Sequence, residues 1–277
     1  MNKDNQPNLN GRTAIVTGGS RGIGKGIALS MAKAGADVLV NFISNHEAAE
    51  DTVEELKGLG RRAISFKADV SNYDEVKAMV ETAVEALGKI DILVCNAGVI
   101  QRDSHVYKAD LYLFHKLIDN HIMGAFHCIQ AALPIMRTQP RGDIHLISST
   151  NTRMLPQGLT SYNVAKAGIE ALGKCLAKEE RANNIRVNVI GPTTTETDMA
   201  KGLLQRYGFS SFREVDKYLP FGRITNPEDI GNLCTFLASR EASHISGQII
   251  YVDGSQDRKS TQDFFSAAGS VQQRSGI

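Results

Sequence analysis

The 277-residue chain has no excess of charge of either sign. Its 31 basic and 30 acidic residues leave a formal net charge of +1, which supplies neither a basic face for nucleic acid nor an acidic tail. It has no segment approaching the roughly 18 uninterrupted apolar residues of a membrane span. Residues 1–11 are polar and lack the apolar stretch of a secretory signal, so the cytoplasm is the expected location. Cysteine is scarce. Cys95, Cys128, Cys175 and Cys234 stand far apart in apolar stretches, and no pair has metal-ligand spacing. They read as small buried hydrophobes in a reducing compartment. What is present is 42% hydrophobic and 22% charged residues, enough for a sizeable core under a solvated surface. The expected partner is a small molecule, not nucleic acid or membrane.

Short β-branched runs alternate with longer stretches of helical periodicity. The strand-like runs are Thr13–Thr17, Asp37–Asn41, Ala63–Lys67, Ile92–Cys95, Ile144–Ser148, Val187–Ile190 and Gln248–Val252. Between them the spacing predicts helices over Ile23–Lys33, Ala48–Leu59, Asp74–Leu87, Leu111–Met136, Tyr162–Arg181 and Pro227–Ala238. Several strand runs are almost wholly apolar, as strands covered on both faces are. The alternation predicts an α/β fold of Rossmann type, a doubly wound parallel seven-stranded sheet with helices on both faces. No internal repeat or mid-chain linker divides the chain, so one domain is expected over residues 1–254. Within it Thr193–Arg223 reads as irregular. Residues 255–277 form a C-terminal extension rich in Ser and Gln, with Phe264 and Phe265 as an apolar anchor.

After the first strand comes Thr17-Gly18-Gly19-Ser20-Arg21-Gly22-Ile23-Gly24, and then a helix. Glycine permits a tight turn with positive φ and lets a diphosphate approach the backbone. The helix start offers free N–H groups and the positive end of a dipole. A glycine turn alone is a weak sign. Directly after a first strand and opening a first helix, it has the context a dinucleotide site requires. The second strand ends Val40-Asn41-Phe42-Ile43-Ser44-Asn45. It has no carboxylate to accept from ribose hydroxyls or to repel a 2′-phosphate. Arg21 matches phosphate geometry, although a solvated surface charge is its plain alternative. NADP(H) is therefore expected over NAD(H), with Asn41 and Ser44 among the residues at its adenosine end.

Ser161-Tyr162-Asn163-Val164-Ala165-Lys166 opens a predicted helix. Residues four apart share a helical face, so Tyr162 and Lys166 can point into one pocket. A phenol with a pKa near 10 is a poor base at neutral pH. A nearby ammonium favours the phenolate, so Lys166 is expected to lower the Tyr162 pKa. Ser149 ends the preceding strand, on the side of the sheet where ligands bind, and stands where a substrate oxygen would be held. Tyr-x-x-x-Lys alone arises often by chance. The strand-end serine and the upstream glycine turn give it meaning.

Taken in order, these motifs resemble the short-chain dehydrogenase/reductase family, in its 3-oxoacyl-reductase-like or glucose-dehydrogenase-like branch, over roughly Asn10 to Gly254. Its glycine motif is matched by Thr17, Gly18, Gly22 and Gly24, its adenine-side Asp by Asp69 with Val70, and its Asn-Ala-Gly by Asn96-Ala97-Gly98. Its active-site Ser, Tyr and Lys fall on Ser149, Tyr162 and Lys166. Arg186-Val187-Asn188, Pro192, Thr197-Asp198-Met199, Ser246-Gly247-Gln248 and Asp253-Gly254 match later signatures. The resemblance implies a ketoreductase or alcohol dehydrogenase moving a hydride between the nicotinamide and a carbonyl or hydroxyl carbon. It implies that Ser149 bonds the substrate oxygen, Tyr162 exchanges its proton, and Lys166 binds the nicotinamide ribose. It places Asn96, Ala97 and Gly98 at the adenosine ribose side, and the segment after Pro192, with Thr195 and Thr197, at the carboxamide. It also implies a homotetramer or homodimer packed through the helices at 111–136 and 162–181. The competing reading is a non-catalytic NADP-binding sensor or structural protein. Such proteins typically lose the Tyr or the Lys, and both are here.

Three residues depart from the family pattern. Cys95 replaces an Asn, and Thr193 replaces a Gly with a β-branched residue that narrows the space near the nicotinamide. In the fourth helix the family has an Asn, three residues before a Gly, that holds a water relaying protons to the Lys. Aligned on Gly124, that position is His121, with Asn120 one residue off. Either the imidazole takes the relay, since histidine donates, accepts and titrates near neutrality, or a helix bulge brings Asn120 into place. A core histidine bonded to a carbonyl is the plain alternative. The substrate pocket is expected from Val99–Ser104, Thr150–Gly158 and Thr193–Leu219, with a lid at about 193–223. Arg153, Gln157, Arg206 and Tyr207 suit a polar or acidic substrate, and Met154, Leu155, Leu203, Leu204, Phe209 and Phe212 an apolar one. A cyclic or aryl ketone, a steroid-like or polyketide-like carbonyl, a 3-oxoacyl thioester and a sugar all stay open.

Overall fold

The apolar runs and the periodic stretches between them fold in strict alternation through the first half of the chain. This half is β1 (Thr13–Val16), α1 (Gly22–Lys33), β2 (Asp37–Phe42), α2 (His46–Gly58), β3 (Ala63–Lys67), α3 (Tyr73–Leu87) and β4 (Ile92–Cys95). The second half begins with α4 (Leu111–Ile118), a π-helical turn (Asp119–Met123), α5 (Gly124–Met136) and β5 (Gly142–Ile147). It continues with α6 (Asn151–Met154), α7 (Thr160–Glu180), β6 (Ile185–Pro192), α8 (Asp198–Arg206), α9 (Arg213–Asp216), α10 (Pro227–Ala238) and β7 (Ile249–Val252). The computed structural model describes residues 7–100, 105–206 and 208–255. Gln101–Ser104, Tyr207, the Arg206 side chain and the Phe264–Phe265 anchor lie outside the described residues.

The seven strands form one parallel sheet in the order β3-β2-β1-β4-β5-β6-β7. The order reverses between β1 and β4, which opens a crevice at their carboxyl ends. Successive strand residues face opposite sides, and both sides are filled. Ile15, Leu39, Leu93, Ile144, Leu146 and Val187 pack with residues of α3, α5 and α7. Val16, Val38, Val40, Ile92, Val94 and Ile190 pack with residues of α1, α2 and α10. Side-chain caps fix several helix starts. Asn45 accepts the Ala48 amide at 3.0 Å, Asn72 accepts the Asp74 amide at 3.1 Å, and Asp229 accepts the Asn226 amide at 2.8 Å beside Pro227.

At the amino ends of the strands, buried Asp143 lies 2.6 Å from both Arg12 and Arg186. Arg12 also donates to the carbonyls of Ala238 at 2.6 Å and Asp91 at 3.0 Å. This group joins the entries to β1, β4, β5 and β6 to the end of α10, on the side of the sheet away from the crevice.

Several sequence expectations change. The helix expected over Leu111–Met136 is interrupted by the π-turn at Asp119–Met123. The stretch expected to be irregular, Thr193–Arg223, holds α8 and α9, because Leu204, Phe209 and Val215 bury against one another instead of against the sheet. β6 runs longer than expected, from Ile185 to Pro192, because β5 and β7 pair with it along different parts. Cys95, Cys128 and Cys234 are buried, but Cys175 is exposed. It shares the outer face of α7 with Ala171, Lys174 and Lys178.

Candidate active site

The turn after β1 is braced from three directions. Thr17 Oγ1 accepts the amides of Asn96 at 2.9 Å and Ala97 at 3.0 Å. Asn96 Nδ2 returns to the carbonyls of Thr17 at 2.9 Å and Gly18 at 3.3 Å. Asn41 Oδ1 accepts the Gly18 amide at 3.2 Å, while its Nδ2 donates to the Ala68 carbonyl at 2.9 Å. The side chains of Asn96 and Asn41, expected to face a cofactor, are therefore spent on backbone. They shape the cradle, and only their remaining surface lines it. Gly18 has a φ of 61° and Gly22 of 55°, which L side chains resist. A Cβ on Gly24 would overlap the Gly18 carbonyl oxygen. Arg21, at the N-cap of α1, makes no side-chain cap, and the first turn carries no acidic residue. The N–H groups that Asn45 and Asn72 satisfy on α2 and α3 stay open on α1. An uncapped, positively polarised start under a close-packed glycine turn fits a dinucleotide diphosphate.

One cleft of about 1960 Å³ runs from this turn across the carboxyl ends of the strands. That exceeds the roughly 300–1,000 Å³ of a single drug-sized ligand, and leaves room for a dinucleotide with a substrate. Every residue assigned from sequence to catalysis or cofactor binding lines it. Asp69 lines the cleft, with Oδ1 accepting the Ser71 amide at 2.9 Å and hydroxyl at 2.7 Å. Among the described residues, no group of three or more His, Cys, Asp or Glu could hold a metal.

Ser149, Tyr162 and Lys166 meet at the centre of the cleft. Ser149 Oγ accepts the Asn151 amide at 3.2 Å and is hydrogen-bonded to Tyr162. Lys166 Nζ is buried, donates to the Ile147 carbonyl at 2.7 Å, and lies 5.8 Å from the centroid of the Tyr162 ring. Burial brings the lysine down to about 8. The expected lowering of the Tyr162 pKa is not found. Burial pushes the phenol up, opposed by the Ser149 hydrogen bond, and Lys166, which donates to the Ile147 carbonyl, does not reverse it.

His121 sits in the π-turn, edge-on to Tyr162 with ring centroids 5.5 Å apart. Its Nε2 is 2.7 Å from the Val99 carbonyl. A carbonyl only accepts, so Nε2 carries the proton and Nδ1 presents a lone pair. Nδ1 is buried without a hydrogen-bond partner, as is Asn120 Oδ1 in the same turn. A cavity of about 10 Å³, the size of one water, is lined by His121, Lys166, Thr17 and Ile147. The expected titration of His121 near neutrality is corrected: burial, helped by the Lys166 charge, lowers it to about 3.

Val99, Ile100, Met154, Gln157, Met199, Leu203 and Leu219, from the segments expected to form a substrate pocket, also line the cleft. Leu204 and Val215 reach it from the small cluster that holds α8 and α9 together. Phe209 and Phe212 belong to that cluster and not to the cleft wall. Arg153 is pinned at the mouth, 3.3 Å from Asp253 and 4.9 Å above the Tyr251 ring.

A family profile described as Enoyl-(Acyl carrier protein) reductase matches residues 18–255. The 3-oxoacyl-[acyl-carrier-protein] reductase FabG of Staphylococcus aureus is 37% identical over 243 residues, covering 88% of this chain and 97% of that protein. A solved 7 alpha-hydroxysteroid dehydrogenase, complexed with NADH and 7-oxo glycochenodeoxycholic acid, is 33% identical with a TM-score of 0.84, over 92% of this chain and 98% of that one. A short chain dehydrogenase from Burkholderia cenocepacia, in complex with NADP, is 30% identical with a TM-score of 0.79, over 89% and 98%. Likeness over nearly the full length of these proteins agrees with a cleft that joins a diphosphate cradle to a serine–tyrosine pair. The chain belongs to the short-chain dehydrogenase/reductase family of nicotinamide-dependent oxidoreductases, which act on C=O and CH–OH groups.

Proposed function

We propose that the protein is a cytoplasmic NADP(H)-dependent ketoreductase in which Tyr162 exchanges the proton of the substrate oxygen. The observation that carries this reading is the Ser149–Tyr162 hydrogen bond beside Lys166, at the wall of a cleft that reaches the glycine turn. A bound nicotinamide supplies or takes the hydride. Ser149 Oγ accepts from Asn151, and its proton, shared with the Tyr162 oxygen while the cleft is empty, turns to the carbonyl when substrate binds. Tyr162 is a protonated phenol at neutral pH, so for carbonyl reduction it starts in the form that donates. Lys166 holds the nicotinamide ribose, and the Ser149 hydrogen bond favours the phenolate left behind. His121 and Lys166 line the water-sized cavity together, and the His121 Nδ1 lone pair accepts from a water there, orienting it to pass a proton back to that phenolate.

The preference for NADP(H) rests on exposed Arg21 and on the end of β2, where Ser44 and Asn45 stand in place of a carboxylate. Residues 1–254 form the catalytic domain, with α8 and α9 as its lid, and the protomers assemble into a homotetramer or homodimer through α4, α5 and α7. One relative is a 3-oxoacyl reductase and another holds a 7-oxo bile acid; both compounds are ketones, which favours a ketone here. The test is loss of NADPH absorbance with a panel of cyclic ketones, quinones and 3-oxoacyl thioesters. Turnover is expected with NADPH, falling about 1,000-fold in Tyr162→Phe. Arg21→Ala is expected to raise KM for NADPH about 10-fold and to leave NADH unaffected. Silence with every carbonyl, in either cofactor, refutes the ketoreductase.

A further inference from the structure

Glu170 lies one turn beyond Lys166 on α7, and its Oε1 gathers hydroxyls from three other elements. Ser148 Oγ donates to it at 2.9 Å from the end of β5, Thr152 Oγ1 at 2.6 Å from α6, and Tyr251 OH at 3.1 Å from β7. Ser148 and Thr152 flank Ser149. Thr152 Oγ1 also lies 2.8 Å from the Ser149 carbonyl oxygen, and the Thr152 amide donates to that oxygen at 3.2 Å. Ser148 Oγ lies 3.3 Å from the Lys166 carbonyl oxygen. Tyr251 is itself fixed, since its ring fills the place a Cβ on Gly191 would take. One carboxylate oxygen thus ties the turn bearing Ser149 to the helix bearing Tyr162 and Lys166. An ionised carboxylate is an acceptor only, so hydroxyl donors have one way to satisfy it, and bonds to a charged acceptor are the stronger kind.

We propose that Glu170 is a positioning residue that holds Ser149 in register with Tyr162 and Lys166. It touches neither substrate nor cofactor. The proposal rests on the ketoreductase reading, in which the geometry of Ser149 limits the rate. A displacement on the order of 1 Å at such a group costs about 100-fold, so a loosened turn costs a measurable fraction of that.

Glu170→Ala is expected to lower kcat about 10-fold with KM for NADPH unchanged, and Glu170→Gln, whose amide oxygen still accepts, to recover most of the loss. In a Ser149→Ala background the same Glu170→Ala change is expected to cost nothing further, because Glu170 acts through Ser149. A merely structural residue costs as much in both backgrounds. Amide exchange in the cofactor-free protein gives a second readout: the segment 148–155 is expected to exchange about 5-fold faster in Glu170→Ala, with α10 unchanged. Thr152→Val, which removes one of the three hydroxyls, serves in its place where Glu170→Ala does not fold. Equal kcat losses in the two backgrounds, or unaltered exchange of the segment, overturns the proposal. A wild-type protein that reduces no carbonyl refutes the ketoreductase reading instead, and the exchange comparison then decides whether Glu170 holds the turn.

Discussion

His121 and His145 are both buried, and burial lowers each to about 3 from an ordinary 6.5. The folded protein keeps them neutral while the unfolded chain protonates them, so stability is lost as pH falls from 6.5 towards 3. At pH 4 the cost is about 3 kcal/mol for each histidine, which a lower urea midpoint at pH 4 to 5 than at pH 7 would reveal. The same burial gives His121 no inflection near 6.5 in a pH–kcat profile. The alkaline side is set by Lys166: with its ammonium near 8, kcat is expected to decline above that value. A relay through His121 predicts that His121→Asn reshapes the pH–kcat profile, and a profile identical to wild type removes it from the proton path. Which residues were legible follows from how far apart their partners stand in the chain. Tyr162 and Lys166 share one helix, and Gly18 to Gly24 one turn, so spacing alone places them. Asn41 and Asn96 do their work across 23 and 78 residues, as braces of Gly18, and no local pattern reports that.

The elements that sequence placed well are those whose apolar faces meet the sheet. A strand buried on both sides, such as Ile92–Cys95, needs an unbroken apolar run, and a helix over it needs an apolar stripe. The π-turn was legible only as one of two alternatives, a helix bulge near Asn120, because one extra residue hardly disturbs the apolar periodicity of α4 and α5. α8 and α9 escaped because their apolar residues serve a private cluster of Leu204, Phe209 and Val215. That cluster is small, so α8 and α9, the proposed lid, rest on few apolar contacts, with Asp216 accepting the Ile224 amide at 2.9 Å as a further tie. Phe209→Ala is expected to raise KM for the carbonyl substrate several-fold, about 5-fold, with NADPH affinity unchanged. Steady-state kinetics beside a direct NADPH titration separates the two, and equal loss in both would place Phe209 in the general scaffold.

Across the whole molecule, chemistry gathers at the carboxyl ends of the strands and charge gathers at the amino ends, where Asp143 binds Arg12 and Arg186. The outward surface adds a third feature. Leu111 and Tyr112 of α4 are 72% and 71% exposed, and Tyr107 and Phe126 lie exposed on the same stretch of chain. Water gains nothing from such a face, and a second copy of the chain would cover it. Leu111→Glu with Tyr112→Glu is expected to reduce the mass measured by light scattering to that of a monomer. A wild type already monomeric at micromolar concentration would leave the apolar face without that role. The π-turn stands between this face and the catalytic centre. Each residue of an α-helix turns the chain by about 100°, so one residue more or fewer in Asp119–Met123 sets the phase between what α4 shows outward and what α5 shows to the sheet. Removing a single residue there would swing Leu111 and Tyr112 a quarter-turn away while the sheet-facing side of α5 stayed put. Contact geometry in the proposed oligomer and the aim of His121 are thus two readings of one dial.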